Sequence, residues 1–194
     1  MKNLVIALKI FLFFTILTGI IYPLFITGIA QLLFPYKANG SMVSADKKVV
    51  GSKLIGQQFD STGYFTSRPS ATSYNPLPSG GTNYCLTNKK LKELVAERKR
   101  QFVKFNQLDS LTVVPAEMLF ASASGLDPHI SPEAAFLQAG RIARSRHFDA
   151  VQVWKLKKSI SDLTENSQFL CLGQPRINVF LLNLATDKID EHAR

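Results

Sequence analysis

The chain has 194 residues, 46% of them hydrophobic and 19% charged. That is room for one ordinary domain and a little more, and the composition excludes wholesale disorder. Lysine and arginine exceed the acids by 23 to 14, net +9, which by itself suggests nucleic acid, an anionic membrane surface or an acidic partner. Two cysteines are too few for a disulfide-stapled scaffold. His129, His147 and His192 lie too far apart for a sequence-local zinc site.

The first element is apolar. From Ile10 to Phe34 there is no charged residue, and a helix of that length exceeds a hydrocarbon core of about 30 Å. Pro23 is expected to kink or locally unwind it, which membrane helices tolerate. Tyr36 is placed to act as an interfacial anchor. Two readings fit the segment. One is a retained signal anchor. The other is a cleaved signal peptide, with Lys2 and Lys9 as its basic region and Gly28-Ile29-Ala30 as a small-x-small site. The apolar run is longer than the ~7–15 residues of a signal peptide, which favours retention. The flanking charges give no orientation, because Lys37, Lys47 and Lys48 follow the run as Lys2 and Lys9 precede it.

Residues 37–87 are rich in glycine and proline, with short apolar pieces at Val49-Val50, Leu54-Ile55 and Tyr64-Phe65. They read as short strands and ordered loops. A helix follows, capped by Asn88, with Leu91, Leu94, Val95, Phe102 and Phe105 on one face. Its seven basic residues, from Lys89 to Lys104, read either as a binding face or as a solvated one. A second helix is expected from Ser131-Pro132-Glu133 to about Arg146. A third starts at Asp149, with Gln152 completing a capping box and Val153, Leu156, Ile160 and Leu163 as its stripe. Trp154 reads as core or interface. The segments Phe169–Leu172 and Ile177–Leu184 read as buried strands around a Gly173-Gln174-Pro175 turn. The expected architecture is α+β. Residues 1–9 form a short tail, 10–34 a transmembrane helix and 35–194 one mixed domain.

No catalytic constellation stands out. Gly51-Ser52-Lys53-Leu54-Ile55-Gly56 has the glycine spacing of a phosphate loop, but Gln57 and Gln58 stand where lysine and serine or threonine belong. Ser44-Ala45-Asp46-Lys47 matches the serine–lysine nucleophile pattern without its partner motifs. Ser79-Gly80-Gly81-Thr82 suits a backbone anion nest or an ordered loop. Ser122-Ala123-Ser124-Gly125-Leu126-Asp127 offers one carboxylate, a poor cation site. Cys85 and Cys171 are open to pairing in an oxidising compartment; free, buried thiols are the alternative.

A dozen strings, in order along nearly the whole chain, carry a resemblance. They begin with Tyr22-Pro23-Leu24, Asn39-Gly40-Ser41 and Gly51-Ser52-Lys53-Leu54-Ile55-Gly56-Gln57. Tyr64-Phe65, Arg68-Pro69-Ser70-Ala71, Tyr74-Asn75-Pro76 and Ser79-Gly80-Gly81-Thr82-Asn83 follow. Val114-Pro115, the Ser122–Asp127 string, Ile130-Ser131-Pro132, Gly173-Gln174-Pro175 and Asn183-Leu184-Ala185 complete them. Together they resemble the C subunits of the bacterial Kdp potassium-transporting ATPase.

The resemblance implies a non-catalytic subunit that binds a P-type ATPase subunit and a channel-like potassium subunit in the bacterial inner membrane. Its amino terminus would be cytoplasmic and its domain outside, which makes nucleic acid an unsuitable partner. The family subunit is also described as a catalytic chaperone that raises the pump's ATP affinity. That role would involve Gln138 and the Ser79, Gly80 and Gly81 loop. No tightly bound cofactor is implied, and ATP enters only through the pump subunit. An outer domain and direct ATP contact exclude each other across about 30 Å of hydrocarbon, so such an effect would be a coupling between distant sites. Gly19, Pro23 and Gly28 are candidate contacts in the bilayer, and Arg68, Tyr74 and Asn75 in the loop-rich part. Two alternatives from other classes remain: a membrane-anchored serine hydrolase through Ser44 and Lys47, and an envelope-polymer binder through the basic helix 88–107.

Overall fold

The computed structural model describes residues 2–45, 48–169 and 171–191. The chain divides into two compact units, Met1–Ser52 and Lys53–Arg194, so the segment after the apolar run groups with the helix up to Ser52.

In the first unit, α1 (Lys2–Ile16) passes through one π-helical turn (Leu17–Ile21) into α2 (Tyr22–Leu33). Pro23 has no N–H to offer the carbonyl one turn back. The helix takes up the mismatch just before it, where the Tyr22 N–H reaches back five residues to Leu17 O. This is the local unwinding expected from Pro23. Thr15 and Thr18 donate their hydroxyls to Phe11 O and Phe14 O, so neither needs water. The continuous helix has 32 residues and is about 48 Å long at 1.5 Å per residue. It is long and apolar enough to cross a membrane.

A short helix, α3 (Pro35–Ala38), follows, and Asn39 pairs side chain to side chain with Gln31 in both directions. Strands β1 (Met42–Ala45) and β2 (Lys48–Ser52) form an antiparallel hairpin with an irregularity between Val43 and Ser44. Ser52 Oγ donates to Gly40 O and closes the base of that hairpin.

The second unit holds the core. Helix α4 (Lys89–Asn106) starts where Asn88 Oδ1 accepts from the Lys90 N–H. Helix α5 (Pro132–Ser145) starts at Ser131, whose Oγ accepts from the Ala134 N–H. Helix α6 (Ala150–Asp162) starts with the expected Asp149–Gln152 capping box. Leu91 and Phe102 of α4, Ala135, Ala139 and Ile142 of α5, and Leu156 and Ile160 of α6 are buried. Leu94, assigned to the apolar face of α4, is exposed.

Two sequence expectations do not hold. Of Ile177–Leu184, only β4 (Ile177–Asn178) is a strand, pairing antiparallel with β3 (His129–Ile130); the rest is α7 (Val179–Glu191). The β-branched Ile177 and Val179 suggest a strand, but Asn178 Oδ1 accepts from the Leu181 N–H and starts a helix there. Val179, Leu182 and Ile189, all buried, then follow helical spacing. In the preceding stretch, Glu165–Arg176 and Gln168–Leu172 form only isolated bridges; Leu170, within the expected strand 169–172, lies outside the described residues.

Likewise, Val49-Val50 lie on β2, but Leu54-Ile55 and Tyr64-Phe65 lie in irregular chain. Phe65 has ladder-like pairing without a strand. Its N–H donates to Asn183 Oδ1 at 2.8 Å and its C=O accepts from Asn183 Nδ2 at 3.0 Å. The Asn183 amide, on α7, replaces a neighbouring strand. We predict that Asn183→Leu, which leaves both Phe65 groups buried and unpaired, lowers stability by about 2–4 kcal/mol. Urea unfolding of the detergent-solubilised full chain measures this, and a loss below about 0.5 kcal/mol would refute the assignment.

Candidate functional site

The irregular segment from Lys53 to Asn88 meets the loop 121–131 backbone to backbone. Gly56 N–H donates to Leu126 O at 2.7 Å, Gly80 N–H to Ser124 O at 3.0 Å and Ser122 N–H to Pro69 O at 3.2 Å. Two glycines are required at this seam. A Cβ on Gly56 would sit 2.8 Å from Asp127 O. Gly125 has φ +72°, and a Cβ there would sit 2.7 Å from Thr72 Oγ1.

A charged cluster ties the same two segments together. Arg68 Nη1 donates to Asp127 Oδ2 at 2.8 Å. Asp127 Oδ1 accepts from the His129 N–H at 3.0 Å and faces His129 Nδ1 at 3.2 Å. Burial acts to raise the Asp127 pKa, but the hydrogen bonds from the His129 ring and N–H, with the Arg68 guanidinium, outweigh it and hold the carboxyl at about 2. Tyr74 donates its hydroxyl to Arg68 O at 2.5 Å, and burial pushes its pKa up to about 12. Two shallow cavities share Arg68 and Asp127 in their walls. One, of about 550 Å³, is lined largely by Leu54, Ile55, Ala123 and Leu126. The other, of about 250 Å³, adds Glu117, His129, Ser131 and Arg176.

The candidate residues separate into used and open groups. Gln138 is 0% exposed. Its Oε1 accepts from the N–H and hydroxyl of Thr66 and from Arg141 Nη2, and its Nε2 donates to Thr66 O. Its amide therefore holds the Thr66 backbone, as Asn183 holds Phe65. In the Ser79–Gly81 loop, the Gly80 N–H is used in the seam, and Ser79 is exposed. Arg68 and Tyr74 are hydrogen-bonded to each other's segment, while Asn75 is exposed and caps the turn by accepting from the Leu77 N–H. Beyond its chain neighbours and the adjoining backbone of its own helix, nothing lies within 4 Å of a would-be Cβ on Gly19 or Gly28, and Pro23 is exposed on α2.

Arg141 and Arg146 are missed by the sequence reading. Arg141 is buried, stacked 4.3 Å from the Phe105 ring centroid, and donates to Asn106 Oδ1, Thr62 O and Tyr64 O. Desolvation, with Arg144 nearby, brings its pKa down to about 10. Arg146 donates to Gly63 O and pairs with Asp187 and Asp190 of α7. The signal for Arg141 was its place on the apolar stripe of α5, one turn from Gln138 and next to Ile142.

Ser44 is exposed on β1, and its proposed partner Lys47 lies outside the described residues. Cys85 and Cys171 are free and exposed, not buried. The hydrogen bond from Thr87 lowers the Cys85 thiol below its ordinary pKa. Among the described residues, no three metal-ligating side chains cluster. With both Asp127 oxygens engaged, the loop face offers charge, hydroxyls and shape rather than a reactive group.

The structure thus joins a helix long and apolar enough to cross a membrane to a domain in which no cluster of reactive groups stands open among the described residues. The model of the family described as KdpC, K+-transporting ATPase, c chain, matches residues 4–188, and the chain belongs to that family. A protein of Pectobacterium atrosepticum is 47% identical over 191 residues, covering 97% of each chain. One of Photorhabdus laumondii is 46% identical over 188 residues, covering 95% of each. One of Escherichia coli O127:H6 is 43% identical over 194 residues, covering 98% of this chain and all of the relative. All three are named potassium-transporting ATPase KdpC subunit. The family is that of an accessory chain and not of the catalytic one.

Two predictions follow from the seam and its ion pair. Gly125→Ala lowers stability by at least about 1 kcal/mol from its positive φ alone, whereas Gly80→Ala, with nothing within 4 Å of the added Cβ, stays near neutral; thermal melts of the two variants separate them. Because the folded Asp127 pKa lies below the unfolded value, its contribution is full above about pH 5 and is lost as pH falls toward 2. Asp127→Asn therefore flattens stability against pH in that window. An unchanged acid limb would contradict this.

Proposed function

We propose that the chain is the non-catalytic subunit of a high-affinity, ATP-driven potassium import complex in the bacterial inner membrane. In this reading it holds together a P-type ATPase subunit and a channel-like potassium subunit. The observation that carries the proposal is the family match over nearly the whole chain, with relatives named as potassium-transporting ATPase subunits. In this reading the amino terminus is cytoplasmic and the domain that follows the helix, residues 35–194, is outside. The helix Lys2–Leu33 provides the span, and its open surface at Gly19 and Gly28 suits close approach of partner helices. Arg68, Tyr74 and Asn75 contribute to the contact outside the bilayer.

An effect on ATP affinity is in this reading a long-range coupling. Supporting it, the Gln138 amide is fully buried and held by Thr66 and Arg141, so it is not presented to a nucleotide. Isothermal titration of the full chain with ATP should then give no saturable heat, and binding with a Kd below about 1 mM would overturn the coupling reading. The subunit reading is tested by mild-detergent affinity purification of the tagged chain from potassium-starved cells. Recovery of a P-type ATPase and a large polytopic partner is expected. Recovery of the chain alone, under conditions that preserve other membrane complexes, would refute the reading.

A further inference from the structure

Helix α6 carries a second face that the domain does not use. Its inner face is spent in the core, with Leu156 and Ile160 fully buried. On the opposite side, Val151 is 59% and Trp154 60% exposed, one turn apart. At helical spacing, Lys155 and Lys158 fall in the same sector, with Lys158 Nζ 5.2 Å from the Trp154 ring centroid. Between the cap Asp149 and Asp162, which closes this face at its far end, the helix has Lys155, Lys157 and Lys158 and no carboxylate. Among the described residues, none of these three lysines is in an ion pair.

A single exposed aromatic residue is ordinary. An apolar pair set among unpaired lysines, on a domain tethered to a bilayer by its own helix, has a more specific fit. Indole is apolar in its ring and polar at its N–H, which suits the boundary between acyl chains and headgroups. Lysines flanking it lay their stems along that boundary and keep their charges among the headgroups. The tether matters as much as the face. A contact too weak to recruit a soluble protein is populated when the surface is held nearby at high effective concentration.

We propose that this Val151–Trp154–Lys155–Lys158 face of α6 rests on the anionic lipid surface of the membrane that holds the chain's helix. The inference requires that the helix span a membrane and is independent of the potassium-pump assignment, which the co-purification decides separately.

Trp154 is the chain's single tryptophan, so its fluorescence reports this face alone. The full chain is reconstituted in phosphatidylcholine nanodiscs, with and without phosphatidylglycerol, carrying lipids brominated near the headgroup or deep in the acyl chain. Headgroup-proximal bromines should quench Trp154 more than deep ones, and more strongly with phosphatidylglycerol present. Each lysine near an anionic surface contributes roughly a five-fold factor, so Lys155→Gln with Lys158→Gln should lower the bound-to-free ratio about thirty-fold. Added salt should act in the same direction, and unchanged circular dichroism checks that the double variant is folded. Fluorescence insensitive to bromine and freely quenched by aqueous acrylamide would overturn the proposal, as would quenching indifferent to phosphatidylglycerol and to both lysines. In the assembled complex, p-benzoylphenylalanine in place of Trp154 should photo-crosslink to lipid. An adduct to a protein subunit instead would overturn the proposal and assign the face to that subunit.

Discussion

The second unit depends on one constraint: the chain from Lys53 to Asn88 must satisfy its backbone without forming strands. A buried N–H or C=O without a partner costs as much as a lost hydrogen bond. Helices α5 and α7 meet the need with side chains. Gln138 and Asn183 each present an amide that donates and accepts as a peptide does, to Thr66 and Phe65. Arg141 gathers the carbonyls of Thr62 and Tyr64, and Arg146 takes that of Gly63. Five consecutive residues are thus bound edge-on by polar groups from helices.

This arrangement explains why polar residues occupy core positions. Gln138, Arg141 and Asn183 lie among the most buried side chains, and none is isolated. Among the described residues Arg141 has no carboxylate contact; its charge is dispersed over carbonyl and amide oxygens and the face of Phe105. Arg146 solves the same problem differently, with Asp187 and Asp190 as counter-ions; burial would lower its pKa, but these pairs more than compensate and raise it. A guanidinium serves where lysine would not, because its planar fork reaches several carbonyls at once.

How legible this was in the sequence depended on the range of the interactions. The starts of α4, α5 and α6 were readable, because Asn88, Ser131 and Asp149 act within three residues of themselves. The effect of Pro23 was readable for the same reason. The start of α7 was equally local, through Asn178 and Leu181, yet two β-branched neighbours disguised it. What was not legible was nonlocal. That Phe65 would be paired by Asn183, more than a hundred residues on, leaves no periodicity to find. The loop strings that carry the family resemblance, Gly51–Gln57, Ser79–Asn83 and Ser122–Asp127, now have a physical content: they contain the glycines and carbonyls of the seam.

The same accounting bears on function. A catalytic group has to be under-used by the fold, so that it is available to a substrate. In the loop face the reverse holds. Asp127 is held far below neutrality as a carboxylate with both oxygens engaged, and Tyr74 is held protonated by burial with its hydroxyl on Arg68 O. Asp127 and Tyr74, fixed in this way, keep one charge and one place across the physiological pH range. Such a surface is suited to being recognised. For an accessory chain that is the physical requirement: loops already tied down by hydrogen bonds before a partner arrives lose little entropy on docking, and at this face the buried Arg68 Nε is the atom left without a partner among the described residues.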